Sequence, residues 1–141
     1  MARSVCELEN SVSNDKTWRE SGLWAIETCN ANSWAGARKW LRKTASDICM
    51  VQETKVNTDA GVKAMIAKAR HEGWTLKPTR AHTTAADMAS GGVGVAARRG
   101  LGIAQHDDLV PEMFQHRLAF SHVSAVMKGG FHCGSIWLKH R

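Results

Sequence analysis

The stretch Asp47-Ile48-Cys49-Met50-Val51-Gln52-Glu53-Thr54-Lys55 places four consecutive apolar residues ahead of a polar run that contains a carboxylate. Ile48 to Val51 shows no alternation, as expected of a strand covered on both faces in a parallel or mixed sheet. A core strand delivering Glu53 at its carboxyl end sets the frame for the rest of the chain. The surrounding pattern is that of an α/β protein.

Upstream, Leu23-Trp24-Ala25-Ile26-Glu27-Thr28 is apolar-rich and bounded by Gly22 and by the polar Asn30-Ala31-Asn32-Ser33, the outline of a first strand entering a loop. Ser33 is a helix cap, after which Trp34, Ala37, Leu41 and Trp40 recur at helical spacing while Arg38, Lys39, Arg42 and Lys43 point outward. Strand, helix and strand follow one another. Downstream, Val62, Met65, Ile66 and Ala69 form an apolar stripe that predicts a helix over Asp59 to His71, with Gly73 as its terminator. Trp74-Thr75-Leu76-Lys77 reads as a strand ended by Pro78. Thr79 to Ser90 reads as a polar loop opening into the Gly-rich strand Gly91 to Ala97. Arg117 to Met127 alternates, Lys128-Gly129-Gly130 supplies a turn, and Phe131 to Leu138 returns, which predicts a β-hairpin. Residues 1 to 20 are polar and aperiodic and read as a poorly ordered leader.

Composition sets outer limits on function. With 43% hydrophobic and 23% charged residues in 141, the chain suits one ordinary globular domain. It has no eighteen-residue apolar run, and its first residues lack the apolar core of a secretory signal, so the expectation is a soluble intracellular protein without a membrane span, the nucleus being one location. The four cysteines show no C-x-x-C spacing, which argues against a zinc ribbon or a redox pair. The net charge of +6 is uneven: eight basic against seven acidic residues up to position 58, and eleven against six beyond it. Such a surplus concentrates polyanions near the surface, although a merely solvated basic face is an equal reading.

A hard divalent cation takes oxygen ligands and commonly only one or two carboxylates, so Glu53 at the end of a fixed strand is a suitable ligand. Gln52 and Thr54 beside it are placed to hold the local backbone by hydrogen bonds. Taken alone, a strand-end glutamate is more often a solvated group than a ligand. Its neighbours decide.

The run Asp-Ile-Cys-x-x-Gln-Glu-Thr-Lys at 47 to 55 resembles the signature of the endonuclease/exonuclease/phosphatase superfamily. Two further segments resemble that family in order: Thr28-Cys29-Asn30-Ala31-Asn32, similar to its first strand, and Gly92-Val93-Gly94-Val95-Ala96-Ala97-Arg98, similar to its Gly-rich strand. The resemblance covers Leu23 to Leu138 and is nearest to apurinic and non-LTR retroelement endonucleases. It implies a DNase I-like α/β sandwich of mixed sheets flanked by helices, with residues 21 to 141 forming its N-terminal portion. It also implies magnesium, with manganese as a substitute, bound at Glu53, with Asn30 beside the metal and within reach of the scissile phosphate. Asn32, Lys55 and Ser90 would lie on the substrate side. Ser90 stands where many of these nucleases carry an aromatic residue, and Ser33 stands where a glycine is frequent.

The family's Asp-x-Asn pair and its late Asp and His are not found, which predicts a chain that lacks the cleavage step and the C-terminal half of the domain. None of the seven histidines has a spacing that replaces the missing one, and each reads as a surface or half-buried structural group. Of Trp24, Trp40, Trp74 and Trp137, at least three read as core residues rather than base-stacking platforms. A half-sandwich leaves apolar sheet surface uncovered, so the isolated chain is expected to be marginal or prone to associate. Nucleic acid leads as the substrate. A phosphatase acting on inositol or lipid phosphates, or a non-catalytic remnant that binds nucleic acid weakly, are the alternatives.

Overall fold

The computed structural model describes residues 20–139. The leader expected over 1 to 20 therefore lies outside the described residues, apart from Glu20. Strand β1 (Ile26–Asn30) leads into helix α1 (Trp34–Lys43), strand β2 (Ile48–Gln52), helix α2 (Asp59–His71) and strand β3 (Trp74–Pro78). Two short strands, β4 (His82–Thr83) and β5 (Ala89–Ser90), precede β6 (Val93–Arg98), β7 (Ile103–Gln105), β8 (Leu118–Val123) and β9 (Phe131–Ile136).

Local chemistry accounts for the helix bounds. Ser33 Oγ accepts from the Gly36 N–H at 3.1 Å, and Thr58 Oγ1 accepts from Gly61 N–H at 3.0 Å, each satisfying a first-turn donor that has no partner within its helix. At the far end of α2, Gly73 adopts φ +90, the left-handed conformation a helix stop requires. The basic side chains of α1 are less free than their pattern suggests. Arg38 Nε and Arg42 Nη2 both contact Glu72 Oε1, at 2.6 and 2.8 Å.

The strands form a four-stranded mixed sheet in the order β1-β2-β6-β3, a three-stranded antiparallel sheet β7-β8-β9, and the small β4-β5 ribbon. Only β1 and β2 run parallel, with Ile26 opposite Ile48 and Asn30 opposite Gln52. The molecule is thus α/β in three layers: helices, mixed sheet, antiparallel sheet. One core lies under the helices around Leu41, Cys49, Val51, Met65, Trp74 and Leu76. The other lies between the sheets around Ile48, Val93, Val95, Ala97, Ala119 and Val123. Because Ile48 faces one core and Cys49 the other, β2 is covered on both sides, which is why its sequence does not alternate.

Several expectations are corrected. Leu23 and Trp24 lie ahead of β1 rather than in it and are 60% and 41% exposed, so Trp24 is not a core residue. The segment between Pro78 and Gly91 is not simply a loop, since His82 pairs with Ser90 and Thr83 with Ala89. β7 was not expected: Ile103–Gln105 is too short to declare itself by periodicity, and its pairing with Ser121–Val123 defines it. The hairpin turn is longer than Lys128-Gly129-Gly130, because β8 ends at Val123 and β9 begins at Phe131. Apolar side chains left open include Ile26 at 47%, Ile136 at 50% and Leu138 at 70%. No helix among the described residues is long and apolar enough to cross a membrane.

Candidate functional site

Glu53 lies one residue past β2, and Asn30 ends the adjacent parallel β1, so both side chains are delivered to the same sheet edge. Asn30 Nδ2 donates to Glu53 Oε1 at 3.2 Å. Trp137, just past β9, donates its indole N–H to the same oxygen at 2.8 Å. Lys55 Nζ lies 3.7 Å from the other oxygen, Oε2, and donates a short hydrogen bond to Asn32 Oδ1. Burial pushes the Glu53 carboxyl up, but the hydrogen bonds from Trp137 and Asn30 and the Lys55 charge outweigh it and hold the group below the ordinary glutamate range. The carboxylate is therefore ionised at neutral pH with one oxygen anchored and the other facing the Lys55 ammonium.

The backbone beneath this cluster is unusual. Asn32, Glu53 and Lys55 all adopt left-handed φ values, 57, 57 and 55, and the fourth non-glycine case, Asp87, sits in the β4-β5 turn. For Glu and Lys this conformation costs of order 1–3 kcal/mol each and persists only where the surroundings enforce it. Gly91 and Gly92 do the enforcing: their carbonyls accept from Lys55 N–H and Thr54 N–H, each at 3.0 Å. Both glycines have positive φ, 78 and 79. A Cβ on Gly92 would lie 2.4 Å from Thr54 Oγ1, and one on Gly91 would lie 3.1 Å from the Trp137 ring. The glycine pair thus lets the β2 exit and the indole approach each other.

A polar strut supports the strand from the second sheet. Ser135 Oγ, fully buried on β9, donates to Val51 O at 3.0 Å and accepts from Gln52 Nε2 at 2.9 Å. Gln52 also donates to Thr28 Oγ1 at 3.0 Å. Gln52 therefore holds the local structure with its side chain. Thr54 does so with its backbone, and its buried hydroxyl has no hydrogen-bond partner among the described residues.

No family model, curated protein or solved structure matches the chain.

Of the residues singled out in the sequence, Asn30, Asn32, Glu53 and Lys55 are brought together. Ser90 is half-buried on β5 opposite His82 and takes no part in the hydrogen bonds or ion pairs of the cluster. Sequence reasoning placed Trp137 in the core. It does pack against the inter-sheet cluster, yet its indole N–H anchors Glu53, a role for which a buried donor needing a partner is the only advance signal. Ser135 left no signal at all. Among the described residues no three His, Cys, Asp or Glu side chains present donors to one ion, so Glu53 is a solitary carboxylate. That donor set is unsuited to zinc, which takes three or four nitrogen or sulfur ligands, but it fits a hard cation that keeps most of its water and shares a phosphate. An open pocket of about 320 Å³ is lined by Pro78, Arg80, Gln105, Asp107, Gln115 and His116. None of the Glu53 cluster lines it.

Proposed function

We propose that the Asn30–Glu53–Lys55 cluster is the cation- and phosphate-holding part of a magnesium-dependent phosphodiesterase site of the endonuclease/exonuclease/phosphatase type, in a DNase I-like sandwich, with nucleic acid as its substrate. The observation that carries this reading is Glu53 itself: an ionised carboxylate in a left-handed backbone conformation, anchored through one oxygen by Asn30 and Trp137 and facing the Lys55 ammonium, 3.7 Å away, with the other. The layering of helices, mixed sheet and antiparallel sheet is compatible with the proposed fold.

Glu53 Oε2 would hold a magnesium or manganese ion directly, and the Asn30 amide oxygen, left over when its nitrogen bonds Glu53, would meet the ion's hydration shell. Such an ion supplies Lewis-acid stabilisation of charge on phosphate oxygens. In the free chain the Lys55 ammonium occupies the electrostatic position beside Oε2. With an ion on Oε2, the Lys55 ammonium, now hydrogen-bonded to Asn32, would be available on its flexible stem to a phosphate oxygen. Asn30 and Trp137 would keep the carboxylate from turning.

The test is binding of a short fluorescent DNA duplex, followed by anisotropy with magnesium and with EDTA, in the wild-type chain and in Glu53→Gln. Magnesium should tighten wild-type binding and leave Glu53→Gln unchanged, and affinity should fall steeply with added salt. Equal magnesium response in both proteins would remove Glu53 from the site. A small inositol phosphate that competes at lower concentration than the duplex would move the substrate to the phosphatase class.

A further inference from the structure

The open pocket of about 320 Å³ at the end of β3 and the β7–β8 connection lies at the small end of the roughly 300–1,000 Å³ range of small-molecule sites. Pro78 and Leu118 give it apolar wall, while Arg80, Gln105, Asp107 and His116 bring polar groups to it. Its rim is tied to the segments that hold Glu53. Ala81 N–H donates to Val56 O at 2.8 Å, and Gly92 N–H donates to His116 O at 2.9 Å.

Hydrogen bonds already made in this region fix what is left for a ligand. Gln105 Nε2 donates to Asp107 Oδ1 at 2.6 Å and faces Pro78 O at 3.5 Å. A carboxylate and a carbonyl both accept, so the amide nitrogen is engaged and Gln105 Oε1 remains as an acceptor. Asp107 Oδ2 is a second acceptor, on the residue that Gln105 grips. His116 Nδ1 donates to Arg80 O at 2.7 Å, which fixes the imidazole plane as a stacking face. The Arg80 guanidinium meets Asp59 Oδ1 through Nη1 at 3.3 Å and keeps its other nitrogens as donors.

Two neighbouring acceptors match a ligand edge with two neighbouring donors. Among the nucleobases guanine has that edge, in its N1–H and 2-amino groups, and its O6 and N7 suit an arginine. Adenine carries a lone pair at N1 and would leave one acceptor unpaired. A guanidinium ligand also has paired N–H donors, but Arg80 and the net charge of +6 oppose it.

We propose that this pocket takes the base of an unpaired guanine in a nucleic-acid strand, with Gln105 Oε1 and Asp107 Oδ2 accepting from its N1–H and 2-amino groups, Arg80 donating to O6, and the His116 ring against the base face. The base must be unpaired because pairing occupies the same edge. The pocket rests on the nucleic-acid reading of the Glu53 cluster for its ligand and adds a base preference to it.

The test is anisotropy of fluorescent oligothymidylate strands carrying one central guanine, adenine or hypoxanthine, in EDTA and again with magnesium. The guanine strand should bind about 10-fold tighter than the adenine strand. Hypoxanthine, which lacks the 2-amino group, should fall between them. In Asp107→Asn the amide oxygen satisfies Gln105 and an amide nitrogen replaces the free acceptor, so the preference for guanine should vanish while the far-ultraviolet circular dichroism stays that of the wild type. Loss of the charge raises affinity for all three strands alike, so the ratio between strands is the readout. Hypoxanthine needs no variant and decides alone should Asp107→Asn misfold. Equal affinity for the guanine and adenine strands, no binding of any strand, hypoxanthine equal to guanine, or an unchanged preference in folded Asp107→Asn would overturn the pocket. Guanosine monophosphate that competes at the same concentration as the guanine strand would overturn the strand as the source of the base. A guanine preference that holds in EDTA without any response to magnesium supports the pocket and removes Glu53 from the site.

Discussion

The core beneath the helices is filled by large side chains, Leu41, Met65, Trp74 and Leu76, whereas the core between the sheets holds Ile48, three valines and two alanines. In the large layer Trp74 Nε1 donates to Leu41 O at 3.0 Å and the Arg98 guanidinium covers the indole at 4.0 Å, while the buried Trp34 and Trp40 indole nitrogens packed against it have no hydrogen-bond partner among the described residues. The small layer is different in kind. Short side chains let the two sheets approach closely enough for Ser135 on β9 to reach the backbone of β2, and for Trp137 to reach Glu53. One face of β2 therefore stabilises the fold, and the other fixes where its exit points. Stability and site geometry are carried by opposite sides of a single five-residue strand.

That division is open to direct attack. Trp74→Ala should have the largest effect, about 3–5 kcal/mol off the unfolding free energy, because it removes a buried indole and leaves a cavity. The check is urea unfolding followed by far-ultraviolet circular dichroism. Ser135→Ala comes next. It strips a donor from buried Val51 O and one acceptor from half-buried Gln52 Nε2, which keeps Thr28 Oγ1 and Met50 O, at about 0.5–1.5 kcal/mol. The separation predicted between the two variants lies in magnesium-dependent DNA binding. Ser135→Ala should weaken it in protein that is still folded, and Trp74→Ala should affect it only in proportion to the unfolded fraction. Equal binding defects at equal folded fraction would erase the distinction between the two faces.

The same contrast explains what was legible in the sequence. Helices α1 and α2 and strands β2, β3 and β6 could be read because each buries its apolar side chains at a regular period or in an unbroken run, and local caps such as Ser33 and Gly73 mark their ends. Glu53 could be read as a carboxylate at the carboxyl end of a core strand, and Asn30 was placed beside it by the family resemblance; the parallel pairing of β1 and β2 is what brings the two strand ends side by side. The remainder depended on contacts across the chain. Trp137 and Ser135 are each 84 residues from the group they hold, Glu53 and Val51 respectively, and no local pattern encodes such a separation. The ring contacts among His106, His122 and His132 were equally hidden, since only the pairing of β8 with β9 and the exit of β7 bring the three together. Trp24 misled for the opposite reason. Its apolar neighbours gave a strand signal, but β1 starts at Ile26 and leaves the indole at the surface.

The smallest effect expected is also the most specific to the site. Glu53 is held below its ordinary range in the folded chain, so the folded state binds its proton less readily than the unfolded state. Its ionised form therefore stabilises the fold above the unfolded glutamate value of about 4.3, and that contribution is lost as pH falls through the lower folded value. In metal-free buffer, the melting temperature of the wild-type chain should decline over this acid window more than that of Glu53→Gln, whose neutral side chain has nothing to titrate. Trp137→Phe should give an intermediate decline, since it deletes the indole donor but keeps Asn30 and Lys55. Because Trp137 touches the carboxylate, its fluorescence should report the same protonation in the wild-type chain and fall silent in Glu53→Gln. Parallel melting profiles for all three proteins would mean that the indole and the carboxylate are neighbours without being coupled, and the inter-sheet face would then position Glu53 through the backbone alone.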